Sequence, residues 1–432
     1  MKKWIFVAGL SVLPGLAMAI PAKPQREMEN HQRQAQKHAT SDCDMSAYLT
    51  GDWGGYRCKL INDGVNITGS YTSDTMFNVS GGRSRGGGYA SSWGLNFDFD
   101  LAKLIGLKNT SFYFNLVQRS GTNIAKTRIG NLFSLQQVYG NETFIVNAIY
   151  LKYQFGNSED WFKFGRLNAG DDFMQSDIYY QFVSNGIDGN PVGVFFNMPY
   201  YASYPNAQWG AYIQGEPINH IVGRFGVYNT ADVAHSRYHG LFTPFVGKNG
   251  VMLTTEWDYI QKNNANGLPA KYGVGFIYLT GKDQVNYTNG QQVHGNYGVY
   301  YQVTQMFTRP NGPGTKQGLS GFVAMQFYPR DRNQIPFFSI SGLTYTGLLP
   351  SRPDDTLGVA YVYGKMSRDL ANLQSANGAL PQNFEAVIEL NYRVQVNKWF
   401  YVEPTTQYIL HPGGTGSIPD AWAVGFQVGL TF

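Results

Sequence analysis

Residues 422–432 read WAVGFQVGLTF and alternate strictly between apolar side chains and small or polar ones. A repeat of two residues is the repeat of a β-strand, so this segment predicts a strand with one apolar face. A soluble sheet can carry the same pattern, and the fold class therefore depends on whether the rest of the chain repeats it. The apolar positions are Trp422, Val424, Phe426, Val428, Leu430 and Phe432.

The same alternation recurs from residue 65 onward. In SSWGLNFDFDL (91–101), apolar residues occupy one face and Asn96, Asp98 and Asp100 the other. An even strand number, alternating short and long connections and an apolar outer face are typical of bacterial outer-membrane barrels. We therefore predict an all-β fold, a transmembrane antiparallel β-barrel of about 16 strands. The predicted strands begin near residues 65, 90, 109, 143, 161, 207, 221, 250, 271, 294, 317, 337, 356, 381, 399 and 421.

A soluble β-sandwich or β-helix is the alternative fold. Either would bury several charged side chains without partners, at a cost of several kcal/mol each, whereas a water-filled barrel interior avoids that cost. The charges in question are Asp98, Arg119, Glu256, Glu389 and Arg393.

The first 19 residues predict export. They contain Lys2 and Lys3, an apolar stretch and the small residues Ala17 and Ala19, which is the pattern of a cleaved signal peptide. Residues 20–47 are polar and predict a periplasmic tail, and residues 48–432 predict the barrel. The formal net charge of +4 gives no reason to expect nucleic acid as a partner.

The two cysteines, Cys43 and Cys58, both follow the predicted signal peptide. Nearby thiols in an oxidising periplasm usually pair, so we predict a structural disulfide. A metal or redox site is the alternative, but the chain has no CxxC and the cysteines have no histidine partner at metal-site spacing. We predict no metal site. Asp171 and Asp172 could bind Ca²⁺, but we favour carboxylates at a strand end that bond to loop backbone.

No sequence motif indicates catalysis. The chain has no GxSxG, HExxH, P-loop or dinucleotide fingerprint, so we predict no enzyme activity, no catalytic residue and no cofactor. Residues 175–206 form the longest predicted connection and are rich in aromatic residues, and connections of this length are usually functional. We predict that Tyr179, Tyr180 and Phe182 of this loop narrow the pore.

The phase of each strand predicts which charges face the interior. Acidic and basic residues are mixed there, which suits neutral polyols better than ions of one sign. Arginines would donate to sugar hydroxyls and carboxylates would accept from them. Arg166 shares its parity with apolar neighbours, so it requires either a bulge at Gly165, which we favour, or a polar strand end. The predicted solute path comprises Asp98, Arg119, Arg166, Arg224, Glu256, Arg330, Glu389 and Arg393.

Residues 48–82, YLTGDWGGYRCKLINDGVNITGSYTSDTMFNVSGG, resemble the N-terminal signature of the carbohydrate-selective porin family, the OprB type. GRLNAGDDF (165–173) and SDIYY (176–180) are also similar to that family, and the resemblance covers about residues 48–432. Asp52 and Gly64 can begin and end a short periplasmic helix before the first strand. Cys58 and the long tail depart from the family pattern. The matching residues are Leu49, Gly51, Asp52, Trp53, Gly54, Gly55 and Arg57.

The resemblance implies a sixteen-stranded channel with inward-folded loops that passes glucose and related sugars. We therefore predict an outer-membrane porin for passive diffusion of monosaccharides. The alternatives are a channel for other small polar solutes, such as quinate-like organic acids, and a barrel enzyme. The predicted partners are monosaccharides, outer-membrane lipids with lipopolysaccharide, and the barrel assembly machinery, which reads Phe432. The protein would be a monomer or a homotrimer.

Overall fold

The computed structural model describes residues 43–139, 143–156, 159–230, 250–261, 267–281, 284–312 and 315–432. The predicted signal peptide (1–19) and most of the predicted tail (20–47) lie outside the described residues. Sixteen strands form one closed antiparallel barrel. The predicted fold class and strand number are therefore confirmed.

Each predicted run overlaps one barrel strand, and two further short strands pair as a hairpin in a connection. The strands are β1 Val65–Ser80, β2 Gly86–Asp100, β3 Thr110–Gly121, β4 Thr143–Gln154, β5 Trp161–Leu167, β6 Gln208–Ile218, β7 Ile221–Asn229, β8 Val251–Gln261, β9 Ala270–Leu279, β10 Gln284–Val285, β11 Gln292–Val293, β12 Asn296–Met306, β13 Gly318–Phe327, β14 Phe337–Thr346, β15 Thr356–Lys365, β16 Phe384–Asn397, β17 Phe400–Leu410 and β18 Ala421–Thr431.

The helices are short. Among the described residues, none is both long and apolar enough to cross a membrane. The α-helices are α1 Tyr56–Asn62, α2 Leu101–Ile105, α3 Ala169–Asp172, α4 Gly193–Asn197 and α5 Arg368–Ala376, with single 3₁₀ or π turns at Trp53–Gly55, Ala125–Ile129, Asp177–Gln181 and Pro412–Gly414.

The last strand closes the barrel against the first. Strand β18 pairs antiparallel with β1, and the pairing begins with Ser70 opposite Thr431. Phe432 extends this seam, because its backbone N–H donates to the Gly69 carbonyl at 2.9 Å. The outward side chains Trp422 and Phe426 are exposed, as lipid-facing residues must be. The C-terminal alternation therefore belongs to the strand that removes the open edge of the sheet.

The N-terminal segment contacts this seam at one end of the barrel. That end carries the short connections, and we call it the periplasmic end. The Leu49 N–H donates to the Thr431 carbonyl at 2.8 Å. Arg57 of α1 is 1% exposed, lies 3.8 Å from the centre of the Tyr48 ring and donates to the Ile67 carbonyl at 2.9 Å. The DWGGYR motif thus attaches α1 to the first and last strands.

The buried core lies inside the barrel. The connection 122–142, called loop A, and the connection 168–207, called loop B, contribute apolar side chains that pack against inward-facing wall residues. Ile124 and Phe133 of loop A and Phe182 of loop B are fully buried in one such cluster. Both loops enter from the end opposite α1, so together they reduce the lumen to a constriction.

Candidate pore constriction

Inward-facing carboxylates of the wall hold the backbone of loop B. Glu389 of β16 accepts hydrogen bonds from the backbone N–H groups of Val183 and Ser184 at 2.8 and 2.9 Å. Glu256 of β8 accepts from the Met174 N–H at 2.7 Å. Because a loop without regular structure cannot satisfy its own N–H groups, these carboxylates supply the missing acceptors.

Loop A is held in the same way. Glu385 of β16 accepts from the N–H groups of Leu132 and Phe133 at 2.8 and 2.7 Å, and from the Gly413 N–H at 2.7 Å. Glu385 is fully buried. One carboxylate therefore links loop A to the β17–β18 connection as well as to the wall.

The structure revises the predicted role of these carboxylates. Glu256 and Glu389 are fully buried, and their oxygens are occupied by loop and wall donors. Such oxygens do not accept from a passing solute. The structure therefore assigns Glu256 and Glu389 to loop anchoring, although both face the interior as the strand phase predicted.

Arg224 belongs to a buried ion cluster in the wall. Its guanidinium donates to Glu256 at 2.9 Å and also bonds Asp258, while Lys271 contacts Glu256 at 3.0 Å. Arg224 is 3% exposed. Glu256 and Asp258 neutralise it, so the structure gives Arg224 a role in holding the wall together.

The prediction for Arg330 was wrong. Strand β13 ends at Phe327, so the inward–outward alternation does not extend to residue 330. Arg330 lies in the β13–β14 connection at the extracellular end, its side chain is 68% exposed, and it pairs with Asp369 at 3.2 Å. It therefore lies beyond the strand and not on its inward face.

Arg166 is buried at the end of β5, and the predicted bulge at Gly165 is wrong. The pairing of β5 with β4 and with β6 runs through Gly165 without a shift in register. The irregularity lies in the neighbouring β3–β4 pair instead. The Arg166 guanidinium donates to the carbonyls of Val146 and Ala207 at 3.1 and 3.2 Å, so it ties loop B to the wall.

Two of the three predicted constriction residues face the wall. Tyr179 and Phe182 are fully buried, and their ring centres lie 5.3 and 5.5 Å from that of Phe322 on β13. Tyr180 is partly exposed, and its carbonyl accepts from Arg393 at 2.5 Å. Tyr179 and Phe182 therefore fasten loop B, and only Tyr180 presents side-chain surface.

Two predicted arginines, Arg119 and Arg393, lie in the lumen wall against loops A and B and are 4% and 3% exposed. Arg393 of β16 bonds Glu403 at 2.5 Å and lies 4.3 Å from the centre of the Tyr401 ring. Arg119 of β3 lies 5.3 Å from the centre of the Tyr204 ring and donates to the carbonyls of Gln137 and Tyr139 of loop A. Each guanidinium thus combines a fixed orientation with an adjacent aromatic ring.

Asp188 of loop B is a further acidic residue near both arginines, and the sequence reasoning did not select it. It interacts electrostatically with both Arg393 and Arg119. Asp188 is 9% exposed, and its Oδ1 accepts no hydrogen bond from the described residues. The signal was an aspartate beside Gly189 in the stretch NGIDGN, within the loop already recognised as long.

Asp98 lies on the lumen face of β2, partly exposed, opposite Asn66 and Tyr113. The Tyr113 ring stacks on Tyr150 of β4 with centres 4.9 Å apart. Asp98 is thus a predicted path residue that keeps accessible surface, beside a pair of aromatic rings.

The remaining predicted sites are occupied by the protein itself. Cys43 and Cys58 are bonded, with Cα atoms 5.8 Å apart, so their sulfurs offer no metal ligand despite the proximity of Asp52. Asp172 pairs with buried Lys163 at 2.8 Å. Near the disulfide, hydrogen bonds from Ser46 lower the pKa of Asp44 to about 2, so this carboxylate is ionised at neutral pH.

Comparison with known proteins places the chain among porins. The model of the carbohydrate-selective porin OprB family matches residues 84–432. Porin B of Pseudomonas aeruginosa is 27% identical over 420 residues, covering 90% of this chain and 92% of that protein. Putative porin QuiX of Acinetobacter baylyi is 28% identical over 417 residues, covering 89% and 93%. The high-pH structure of Pseudomonas putida OprB has a TM-score of 0.82 at 24% identity and covers 91% of this chain and 100% of that one.

Proposed function

The chain belongs to the carbohydrate-selective porins of the OprB family, and on that premise we propose that it passes neutral monosaccharides such as glucose through the constriction at Asp188. The protein is an outer-membrane sugar porin by family and fold. The observation that carries the proposal is the Asp188 carboxylate, whose buried Oδ1 accepts no hydrogen bond from the described residues and which interacts electrostatically with Arg119 and Arg393. Passage is passive diffusion, which needs no cofactor.

The constriction offers a sugar both kinds of hydrogen-bonding partner. Arg393 uses Nε and Nη2 for Glu403 and Tyr180, which leaves Nη1 to donate to a hydroxyl. Arg119 uses Nη1 for loop A carbonyls and keeps Nη2 for the same purpose. Asp188 accepts, and neighbouring tyrosine rings can cover the C–H surface of the sugar. Because water competes for every one of these bonds, binding is weak enough for release.

The substitution Asp188→Asn tests this assignment. It removes the charge of the acceptor but keeps a carbonyl oxygen, and a hydrogen bond to a charged group exceeds a neutral one by about 1 kcal/mol, so we expect the dissociation constant for glucose to rise roughly fivefold. The measurement is glucose-dependent block of single-channel current in a planar bilayer. Asp63→Asn, on the exposed periplasmic surface, is the matched control. Equal block in both variants and the wild type would exclude Asp188 from the sugar path.

Small anionic polyols are the second candidate solute. Arg83, Arg85, Lys126 and Arg128 are exposed at the extracellular end, and residues 81–86 and 122–139 contain no Asp or Glu. Such a patch would raise the local concentration of sugar acids at the entrance. Putative porin QuiX is one of the matched relatives. Stronger current block by gluconate than by glucose at low salt would favour this candidate.

The proposal extends to assembly. Phe432 packs against Gly69 at the seam and presents the terminal aromatic that we propose the assembly machinery reads. The lipid-facing surface would contact outer-membrane lipids and lipopolysaccharide, and the protein would act as a monomer or a homotrimer. We expect no hydrolytic activity from the purified protein.

A further inference from the structure

A separate cavity lies between the constriction and the periplasm. Its volume is about 660 Å³, within the range of about 300–1,000 Å³ typical of small-molecule sites. Asp177, Ile178 and Gln181 of loop B bound it on the side of the constriction. The turn 351–355 and Lys398 bound it towards the periplasm. We call this cavity, which lies beside loop B at the periplasmic end of the barrel, the exit cavity.

Hydroxyl groups of neighbouring strands line the wall of the exit cavity. Ser320 of β13 stands opposite Thr344 of β14, and Thr346 of β14 stands opposite Thr356 of β15. The hydroxyls of Thr346 and Thr356 are 3.1 Å apart. Strands lie about 4.7–4.9 Å apart, so hydroxyls on neighbouring strands are close enough for one solute molecule to reach two of them. Each hydroxyl can donate and accept, so this patch matches a chain of alcohol groups in either direction.

The charged residues that line the exit cavity balance in sign, with Asp177, Asp354 and Asp355 against Lys316, Arg352 and Lys398. Arg352 donates to both oxygens of Asp355 at 2.9 and 2.8 Å, and Lys398 contacts Asp44 at 3.4 Å. The balance disfavours a strongly charged ligand of either sign. It leaves the serine and threonine hydroxyls as the main recognition surface.

The exit cavity also lacks a feature that the constriction has. No aromatic ring is among the described residues that line it, whereas Tyr204 and Tyr401 lie beside the arginines of the constriction. Without a flat ring face, a pyranose has no advantage over an open-chain polyol. Recognition in the exit cavity therefore depends on the hydroxyls of the solute and not on its ring.

We propose that the exit cavity is a second, low-affinity binding site for neutral polyols, cyclic or open-chain, including alditols. Its role as an exit station rests on the proposed sugar flux through the constriction, but the binding itself does not. A solute released by the arginines exchanges its hydrogen bonds for those of the hydroxyl patch. The sugar therefore keeps hydrogen-bond partners on the protein for longer, and it regains full hydration only over the last part of its path.

The test compares two solutes in single-channel recordings of the full-length porin. Binding of sorbitol in the exit cavity is measured as noise in the ionic current. Binding of glucose in the constriction is measured as block of that current. The variant Thr344→Val/Thr346→Val/Thr356→Val removes three cavity hydroxyls and keeps β-branched side chains, so the wall is preserved. Ser339→Ala/Ser341→Ala, which removes two hydroxyls on the outward face of β14, is the control. Unchanged conductance without solute shows that each variant is folded, and the three single Thr→Val variants replace the triple one if it does not assemble.

We expect the triple variant to weaken sorbitol binding at least about tenfold, because each lost hydrogen bond is worth about 1 kcal/mol. The control should match the wild type. Sorbitol noise that is absent in the wild type, or equal in the triple variant, overturns the exit site. The proposed function is judged separately, because Asp188→Asn should relieve glucose block and leave sorbitol noise unchanged.

Discussion

Glu389→Gln offers a direct test of how loop B is held. The carboxylate is fully buried and accepts from two adjacent loop N–H groups, of Val183 and Ser184, at 2.8 and 2.9 Å. Glutamine keeps one carbonyl oxygen but turns an NH₂ group towards the other donor. At least one hydrogen bond to a charged group is therefore lost, and one loop N–H is left buried without an acceptor.

The expected cost is about 3 kcal/mol, since such a hydrogen bond is worth about 1.5–3 kcal/mol and an unsatisfied buried group costs about 1–3 kcal/mol. Relief of repulsion between Glu389 and Glu403 offsets part of it. A change of 3 kcal/mol multiplies the population with loop B displaced by roughly 100. Displacement opens the constriction, because loop B carries Asp188 and the carbonyl that holds Arg393.

Single-channel recording measures this directly. Glu389→Gln should show frequent transitions to a higher conductance, and glucose block should weaken during them. Glu159→Gln, in an exposed turn, should behave like the wild type, and Glu385→Gln should disturb loop A instead. A folded Glu389→Gln channel with wild-type current and wild-type glucose block would refute the anchoring role.

Three further predictions concern the ends of the barrel. Replacing Cys43 and Cys58 by serine opens a cross-link between residues 15 apart, so the N-terminal segment should lose about 3 kcal/mol of stability, measured as faster proteolysis of residues 43–64 in the folded porin. Gly69→Val should slow barrel assembly, seen by heat-modifiable gel mobility, because a Cβ there would lie 2.2 Å from the Phe432 ring. The hydrogen bond from the adjacent arginine lowers the pKa of Asp331, so the stability it contributes is complete above the ordinary aspartate pKa and is lost as pH falls through the lowered value. Exchange protection of the Tyr287 amide, which donates to the Asp331 carbonyl, should therefore persist at about pH 5 and fall below about pH 4, and Asp331→Asn should abolish that dependence.

The barrel could be predicted because lipid imposes the same requirement on every strand. Each strand must turn an apolar side chain outward at every second position, so each one carries its own local signal. Trp422 and Phe426 on β18, for example, are exposed as the pattern predicts. The prediction failed at Arg330 because the strand had ended three residues earlier, and local alternation does not locate strand ends sharply.

The solute path was harder to predict because the phase of a strand tells which way a side chain points but not which groups surround it. Glu389 and Asp98 both face the interior, yet Glu389 is fully buried beneath loop B and Asp98 keeps exposed surface. What separates them is the position of a loop that is distant in sequence: Val183 contacts Glu389 across 206 residues. No periodicity within a strand encodes that contact.

The number of inward carboxylates in this barrel follows from the loops rather than from the solute. A loop folded into the lumen brings backbone N–H groups that no sheet partner satisfies, and a carboxylate can accept from two or three of them at once. Glu385 and Glu389 on one strand serve loop A and loop B in this way. Wall carboxylates opposite a long inward loop are therefore poor candidates for solute contact. An acidic residue within the loop, such as Asp188, is a better candidate, because its Oδ1 does not accept a hydrogen bond from the wall or loop residues that the structure describes.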